Sequence, residues 1–195
     1  MNIREYYSRE DVQKELLRLA QGREVQAWFG DIRGKRPEIV NFGGDLKDLI
    51  KQGMTSFHIS EERWQDPLVL ESGLGKRDLD KFRVGWDLCM DIDSKNFKFS
   101  TMCAELIIEA LKFHDIKNYS LKFSGNLGWH IGIPFEAFPK EVNNINIKDY
   151  FPDGVRVISN YIKSMIGGFL SERILGKYGN VDNAAKSVGK EVKEV

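Results

Sequence analysis

Apolar positions along the chain switch between a period near 3.6 and a period of 2, and the switches mark its elements. Helical spacing at Val12, Leu16, Leu17 and Leu19 predicts an amphipathic helix within "SREDVQKELLRLAQGREV", capped by Ser8 with Asp11 three positions on and stopped at Gly22. "EVQAWFGDI" and "RPEIVNF" read as two short strands separated by Gly30, Gly34 and Pro37, hence a hairpin or meander. "DLKDLIKQG" predicts a short helix with a glycine stop. "MTSFHIS" alternates Thr55, Phe57 and Ile59 with Met54, Ser56, His58 and Ser60, as a strand does.

In the second half, "VGWDLCMDID" is an apolar run ending in carboxylates. Helical spacing returns at Cys103, Leu106, Ile107, Ala110 and Leu111, giving a helix from about 101 to 114. "YSLKFSG" and "WHIGIPF" are two strands around a glycine turn. From Val155 to about Leu175 the pattern is helical again, with an interruption expected at Gly167 and Gly168. Strand pairs outnumber strand–helix–strand units, so the expected class is α+β: mixed or antiparallel sheets with flanking helices over residues 1–175, then a polar tail or marginal helix over 176–195.

Composition narrows the function classes. With 195 residues, 42% of them hydrophobic, the chain can bury a full core. No apolar run approaches the roughly 20 residues of a bilayer span, and the N-terminus has no secretory-type stretch, so the expected address is cytoplasmic with no membrane partner. Cys89 and Cys103 lie among apolar residues outside any CxxC arrangement and read as buried free thiols. The 29 basic and 29 acidic residues balance, which argues against tight autonomous binding to a duplex and leaves room for a local basic groove or a basic partner. Trp86 and Trp129 fall in strand patterns and read as packing, whereas Trp64, in "SEERWQDP", reads as exposed. "GKRDLDKFR" at 75–83 reads as a charged, solvated loop, with template phosphates as an alternative contact.

Two stretches carry candidate chemistry. In "LCMDIDS", strand alternation puts Asp91 and Asp93 on one face with Ile92 on the other, their Cα atoms about 6.5 to 7 Å apart. Two acids on one face repel each other and lose solvation, and a hard divalent cation such as Mg²⁺ or Mn²⁺ relieves both costs. The same pair also suits the solvated end of a strand. In "SGNLGWH", Gly125 and Gly128 permit close backbone approach, so the turn amides can converge on an anion, and Ser124 adds a hydroxyl. In "WHIGIP", His130 shares a face with Gly132, opposite Trp129, Ile131 and Ile133, which leaves its imidazole free to meet a phosphate oxygen. A packed histidine in an ordinary hairpin is the competing interpretation.

In order and spacing these residues resemble the catalytic small subunit of archaeal and eukaryotic DNA primases. "WDLCMDID" is similar to that family's strand ending in DxD, and "FSGNLGWHIGIP" to its serine and histidine in a glycine turn. Upstream, "REV" at 23–25, "IVNF" and "FHISEERWQDPL" extend the likeness, which runs from about residue 4 to 165. The resemblance implies that Asp91 and Asp93 are catalytic metal ligands for Mg²⁺ or Mn²⁺, and that Ser124 and His130 contact the phosphates of the incoming nucleotide. Gly125, Asn126 and Gly128 form the rest of that nucleotide turn, and Glu24 lies at the edge of the catalytic centre.

The implied activity is DNA-directed RNA polymerisation of the primase type: a ribonucleotide 3′-hydroxyl attacks the α-phosphate of the next triphosphate on a single-stranded DNA template. The implied partners are nucleoside triphosphates, the template, a primase large subunit and the replication machinery of the nucleoid. Two departures stand out. The turn carries Asn126 and Leu127 where family members have basic residues, so triphosphate contact must be weaker or come from elsewhere. After Pro139 nothing matches the third catalytic aspartate or the later basic segment, and the cysteine-rich zinc element is missing. The expectation is therefore the front half of a catalytic subunit, completed by a second chain. A non-catalytic nucleotide-binding or scaffold subunit of a replication complex is the alternative, and a self-contained nucleotidyltransferase using Asp149 or Asp153 is the third.

Overall fold

The computed structural model describes residues 2–190, in two compact units, one reaching Trp86 and one beginning at Asp87. The first opens with α1 (Ile3–Ser8), where Asn2 and Glu5 form a reciprocal capping box. Extended backbone at Arg9 then separates it from α2 (Glu10–Ala20). The expected single helix is thus two: Asn2, not Ser8, caps the first, and the Arg9 guanidinium turns to Asp11.

Next come β1 (Val25–Phe29), β2 (Ile32–Arg33), α3 (Gly43–Lys51), β3 (Ser56–Ile59), β4 (Glu62–Trp64), α4 (Lys76–Phe82) and β5 (Arg83–Trp86). β1 is central in an antiparallel sheet of order β2-β1-β3, with Val25 opposite Ile59 and Trp28 opposite Ser56. "RPEIVNF" forms no strand. β3 already occupies one edge of β1 and β2 part of the other, Pro37 has no N–H to offer, and the Glu38 carbonyl takes a hydrogen bond from Val25 N–H at 2.8 Å. Val40 from this segment instead drops into a core with Ala20, Val25, Ala27, Leu46, Ile50 and Met54.

β4 and β5 form a separate antiparallel pair built around Arg83, which is buried. Its guanidinium donates twice to Glu62 Oε1, at 3.1 and 2.8 Å, pairs with Asp80 and lies over the Trp64 ring. Trp64 is only 4% exposed, which corrects its expected exposure: the cation that covers it comes from a strand far along the chain. The charged segment at 75–83 is largely the helix α4, braced by Lys76–Asp80 and Asp78–Lys81 pairs at helical spacing.

The second unit contains β6 (Leu88–Asp93), α5 (Phe97–Phe113), β7 (Ser120–Phe123), β8 (Gly128–Ile133), β9 (Glu141–Val142), β10 (Ile145–Asn146), α6 (Asp153–Tyr178) and α7 (Val181–Lys186). Its main sheet has the order β6-β8-β7, and β8 is antiparallel to both neighbours. β6, α5 and β7 therefore make a split β-α-β unit with the returning strand inserted between. Leu88, Met90 and Ile92 are buried on one face together with Ile131 and Ile133, and α5 packs against β6 and β8 with Ala104, Leu106, Ile107, Ala110 and Leu111 buried.

α6 is continuous through Gly167 and Gly168, where an interruption was expected. Helical glycine costs about 1 kcal/mol relative to alanine, and packing on α5 offsets it; Arg173 reaches Glu109 at 2.8 Å and Glu105 at 3.5 Å. The architecture is mixed α+β with small antiparallel sheets and flanking helices. Among the described residues no helix is long and apolar enough to cross a membrane. Cys89 and Cys103 are half-buried where full burial was expected, and burial pushes the Cys103 thiol above its usual range.

Candidate functional site

Alternation along β6 gives the site its acids. Leu88, Met90 and Ile92 are buried while Asp91 and Asp93 are exposed, so the two carboxylates share the solvent face and Ile92 takes the other. The antiparallel register then chooses their neighbours on β8: Asp91 stands opposite His130 and Asp93 opposite Gly128. Directly opposed residues of an antiparallel pair project to the same side. His130 Nε2 accordingly lies 3.3 Å from Asp91 Oδ1, with the imidazole side chain one-third exposed and the carboxylate side chain 63% exposed.

Glycine at 128 is required by Asp93. A Cβ there would overlap Asp93 Oδ1 and come within 2.5 Å of the Ile92 carbonyl, so the carboxylate rests over bare backbone. At Gly132 a Cβ would meet only the Ser120 hydroxyl, at 2.8 Å. On this face the central strand thus offers a single side chain, His130, between two glycines.

The β7–β8 turn is held from inside and from beneath. Ser124 N–H donates to the Gly128 carbonyl at 3.0 Å, and the Ser124 hydroxyl accepts from Gly128 N–H at 3.1 Å. The Ser124 N–H is therefore spent on the turn itself, while its hydroxyl, with one lone pair engaged, still has its proton to offer an anionic ligand. Gly125 has φ +100°, the left-handed region that its lack of a side chain permits. Ser100, in the first turns of α5 and only 1% exposed, donates its hydroxyl to the Leu127 carbonyl at 2.6 Å, and Trp129 Nε1 donates to Thr101 Oγ1 at 3.2 Å. Below the turn Phe97 stacks on Trp129 at 5.6 Å and meets Phe123 edge-on at 5.7 Å.

The structure brings Asp91, Asp93, Gly128 and His130 onto one face, with Ser124, Gly125 and Asn126 at its end. Glu24 belongs to the first unit, where it is buried and gripped bidentately by Arg36, at 2.7 and 2.5 Å. This pair lines a cavity of about 560 Å³ with Glu62, Trp64, Glu71 and Ser72. Asp153 opens α6 and pairs with Arg156 at 3.2 Å. Among the described residues no three His, Cys, Asp or Glu side chains gather closely enough to hold a metal ion, so neither Asp149 nor Asp153 joins Asp91 and Asp93 as a third ligand. The two carboxylates nevertheless suit a hard divalent ion of the Mg²⁺ type, which keeps several waters and takes only one or two protein carboxylates when substrate phosphates supply other ligands.

Sequence reasoning missed Ser100, whose role depends on α5 lying under the turn, and Lys122. In β7, Lys122 pairs with His130 in register, which puts it on the same face as Asp91. Counting back by twos from Ser124 would have pointed to it.

No family model matches the chain. It is 27% identical over 157 residues to MJECS07, an uncharacterized protein of Methanocaldococcus jannaschii, a match covering 76% of this chain and 32% of the relative. The matched stretch is longer than either unit, so the likeness reaches into both, and this chain spans about a third of the relative's length.

Proposed function

We propose that this chain is the front part of a primase-type nucleotidyltransferase, binding a nucleoside triphosphate and a divalent ion on the solvent face of the β6-β8-β7 sheet. The observation that carries this reading is the direct opposition of Asp91 and His130, with Asp93 on the same face over Gly128. Acids for a metal and an imidazole with a glycine-lined turn for phosphate are complementary halves of one nucleotide site. A divalent ion, when bound, supplies charge neutralisation for a 3′-hydroxyl attack and for the triphosphate. The chain's own residues orient: Asp91 and Asp93 hold the ion, His130 contacts a phosphate oxygen, and the turn of Ser124, Gly125 and Asn126 limits where the phosphates lie.

Two carboxylates are an incomplete ligand set for template-directed synthesis, so the proposal includes a second polypeptide that brings a third acid and further phosphate-binding residues. Primer synthesis on single-stranded DNA by this chain, alone and with the protein encoded beside its gene, tests it. Synthesis appearing only with the companion is the expected result. The absence of both synthesis and nucleotide binding in either condition would count against the reading. The alternative, a scaffold subunit of a replication complex that keeps the fold without the chemistry, predicts companion binding with no dependence on Asp91 or Asp93.

A further inference from the structure

The register of the three-stranded sheet lines up Asp91 on β6, His130 on β8 and Lys122 on β7 as one row across the same face. The adjoining rows hold little side chain on the central strand: Gly132 lies between Cys89 and Ser120, and Gly128 lies beside Asp93. The face is therefore a shallow trough floored by glycines, with acids along one wall, a lysine on the other and an imidazole between. Two strand spacings, about 10 Å in all, separate the acid wall from the lysine wall.

Lys122 is exposed, and among the described residues it has no ion-pair or hydrogen-bond partner, as is common for the surface lysines; what sets it apart is its place in register beside His130. The adjacent turn contributes no cation, since Asn126 and Leu127 stand in it. The cation that the strand register itself places in this row is Lys122, on the wall remote from the acids. An elongated polyanion that keeps its metal-bound end beside Asp91 and Asp93 extends its other end towards that group.

We infer that Lys122 binds the tail phosphates of the nucleoside triphosphate, supplying from the neighbouring strand the charge that the glycine turn lacks. The inference rests on the nucleotide reading of this face, but its core is narrower: an anion site made by Lys122 and His130. Lys122 projects from an exposed edge strand, so its replacement leaves the core untouched.

The test measures equilibrium binding of three probes by the full chain: inorganic tripolyphosphate without metal, a nucleoside triphosphate with Mn²⁺, and a single-stranded oligonucleotide. The variants are Lys122→Ala, Lys122→Arg and, as a control on an exposed lysine elsewhere, Lys112→Ala. Lys122→Ala is expected to weaken both phosphate probes by roughly tenfold or more, the scale of a lost charge-assisted hydrogen bond, with Lys122→Arg restoring most of the affinity and Lys112→Ala behaving as wild type. Unchanged tripolyphosphate and nucleotide binding in Lys122→Ala overturns the inference, as does a loss confined to the oligonucleotide, which would make Lys122 a template contact. Lysine-dependent tripolyphosphate binding with no preference for the nucleotide would keep the anion site and remove the nucleotide reading. A wild type that binds neither phosphate probe removes both.

Discussion

Asp91 Oδ1 and His130 Nε2 lie 3.3 Å apart across the β6–β8 pair, on the solvent side of a sheet whose other side is core. An acid and an imidazole in direct register can serve a ligand together. The same two residues on opposite faces could not.

Removing the acids separates the catalytic reading from the scaffold alternative. Asp91→Asn and Asp93→Asn keep the shape of each side chain and remove its charge, and both side chains are exposed, so stability should change little. Titration of Mn²⁺ with a nucleoside triphosphate should show the metal-dependent part of binding falling roughly tenfold or more in either variant. Equal binding by wild type and both variants would favour the scaffold.

Gly128 and Gly132 should respond unequally to alanine. At Gly128 the new methyl meets the Ile92 carbonyl and the Asp93 carboxylate, so the backbone has to shift; about 1–3 kcal/mol of stability is expected to be lost, with Mn²⁺ binding reduced in parallel. At Gly132 the obstacle is the Ser120 hydroxyl, which can rotate away, and the cost should be small. Thermal denaturation of the two variants side by side checks the order.

Ser100→Ala removes the hydroxyl that satisfies the Leu127 carbonyl. Leu127 is itself exposed, so water can reach its carbonyl, and a loss of about 0.5–1.5 kcal/mol is expected for the missing hydrogen bond. Hydrogen exchange should quicken at the amides of residues 125–127 while the centre of α5 stays protected.

Acid should act on the Arg83 cluster of the first unit. Burial pushes the Asp80 carboxyl up, but its hydrogen bonds to Lys76 and Arg83 and their charges together outweigh burial and hold it below its ordinary value. A carboxyl whose pKa is lower in the folded than in the unfolded chain contributes stability that is full above the unfolded value, near 4, and is lost as pH falls through the folded one. Denaturant unfolding at pH 7, 5 and below about 4 should show wild type losing this contribution only in the most acidic sample. Asp80→Asn should be less stable at neutral pH and show a smaller further decline. Parallel pH profiles would remove Asp80 from the account.

How much was legible beforehand follows from range of interaction. The faces of Asp91, Asp93 and His130 could be read directly, because alternation is a property of one strand and needs no partner. Which residues stand opposite one another could not, because register is set by pairing, and so Lys122 went unnoticed although it lies two positions before Ser124. Trp64 looked exposed among polar neighbours because its covering cation, Arg83, lies in another strand. "RPEIVNF" has the composition of a strand, but β1 had little free edge left to accept one. Gly167 and Gly168 weaken a helix locally, and only the packing of α6 on α5, with the Arg173 pairs, shows why the helix runs on.

α5 begins four residues after Asp93, and its first turns hold the Leu127 carbonyl and the Trp129 indole. One helix end is thus the common anchor for the acid strand and the glycine turn, which sets the spacing between them much as a fixed jaw sets a gauge. A ligand of the wrong length cannot be accommodated by moving one side alone, since any displacement of the turn drags on the helix that follows the acids. If the proposed nucleotide binds along this face, its selectivity for length would reside in the seating of α5 as much as in the groups that touch it.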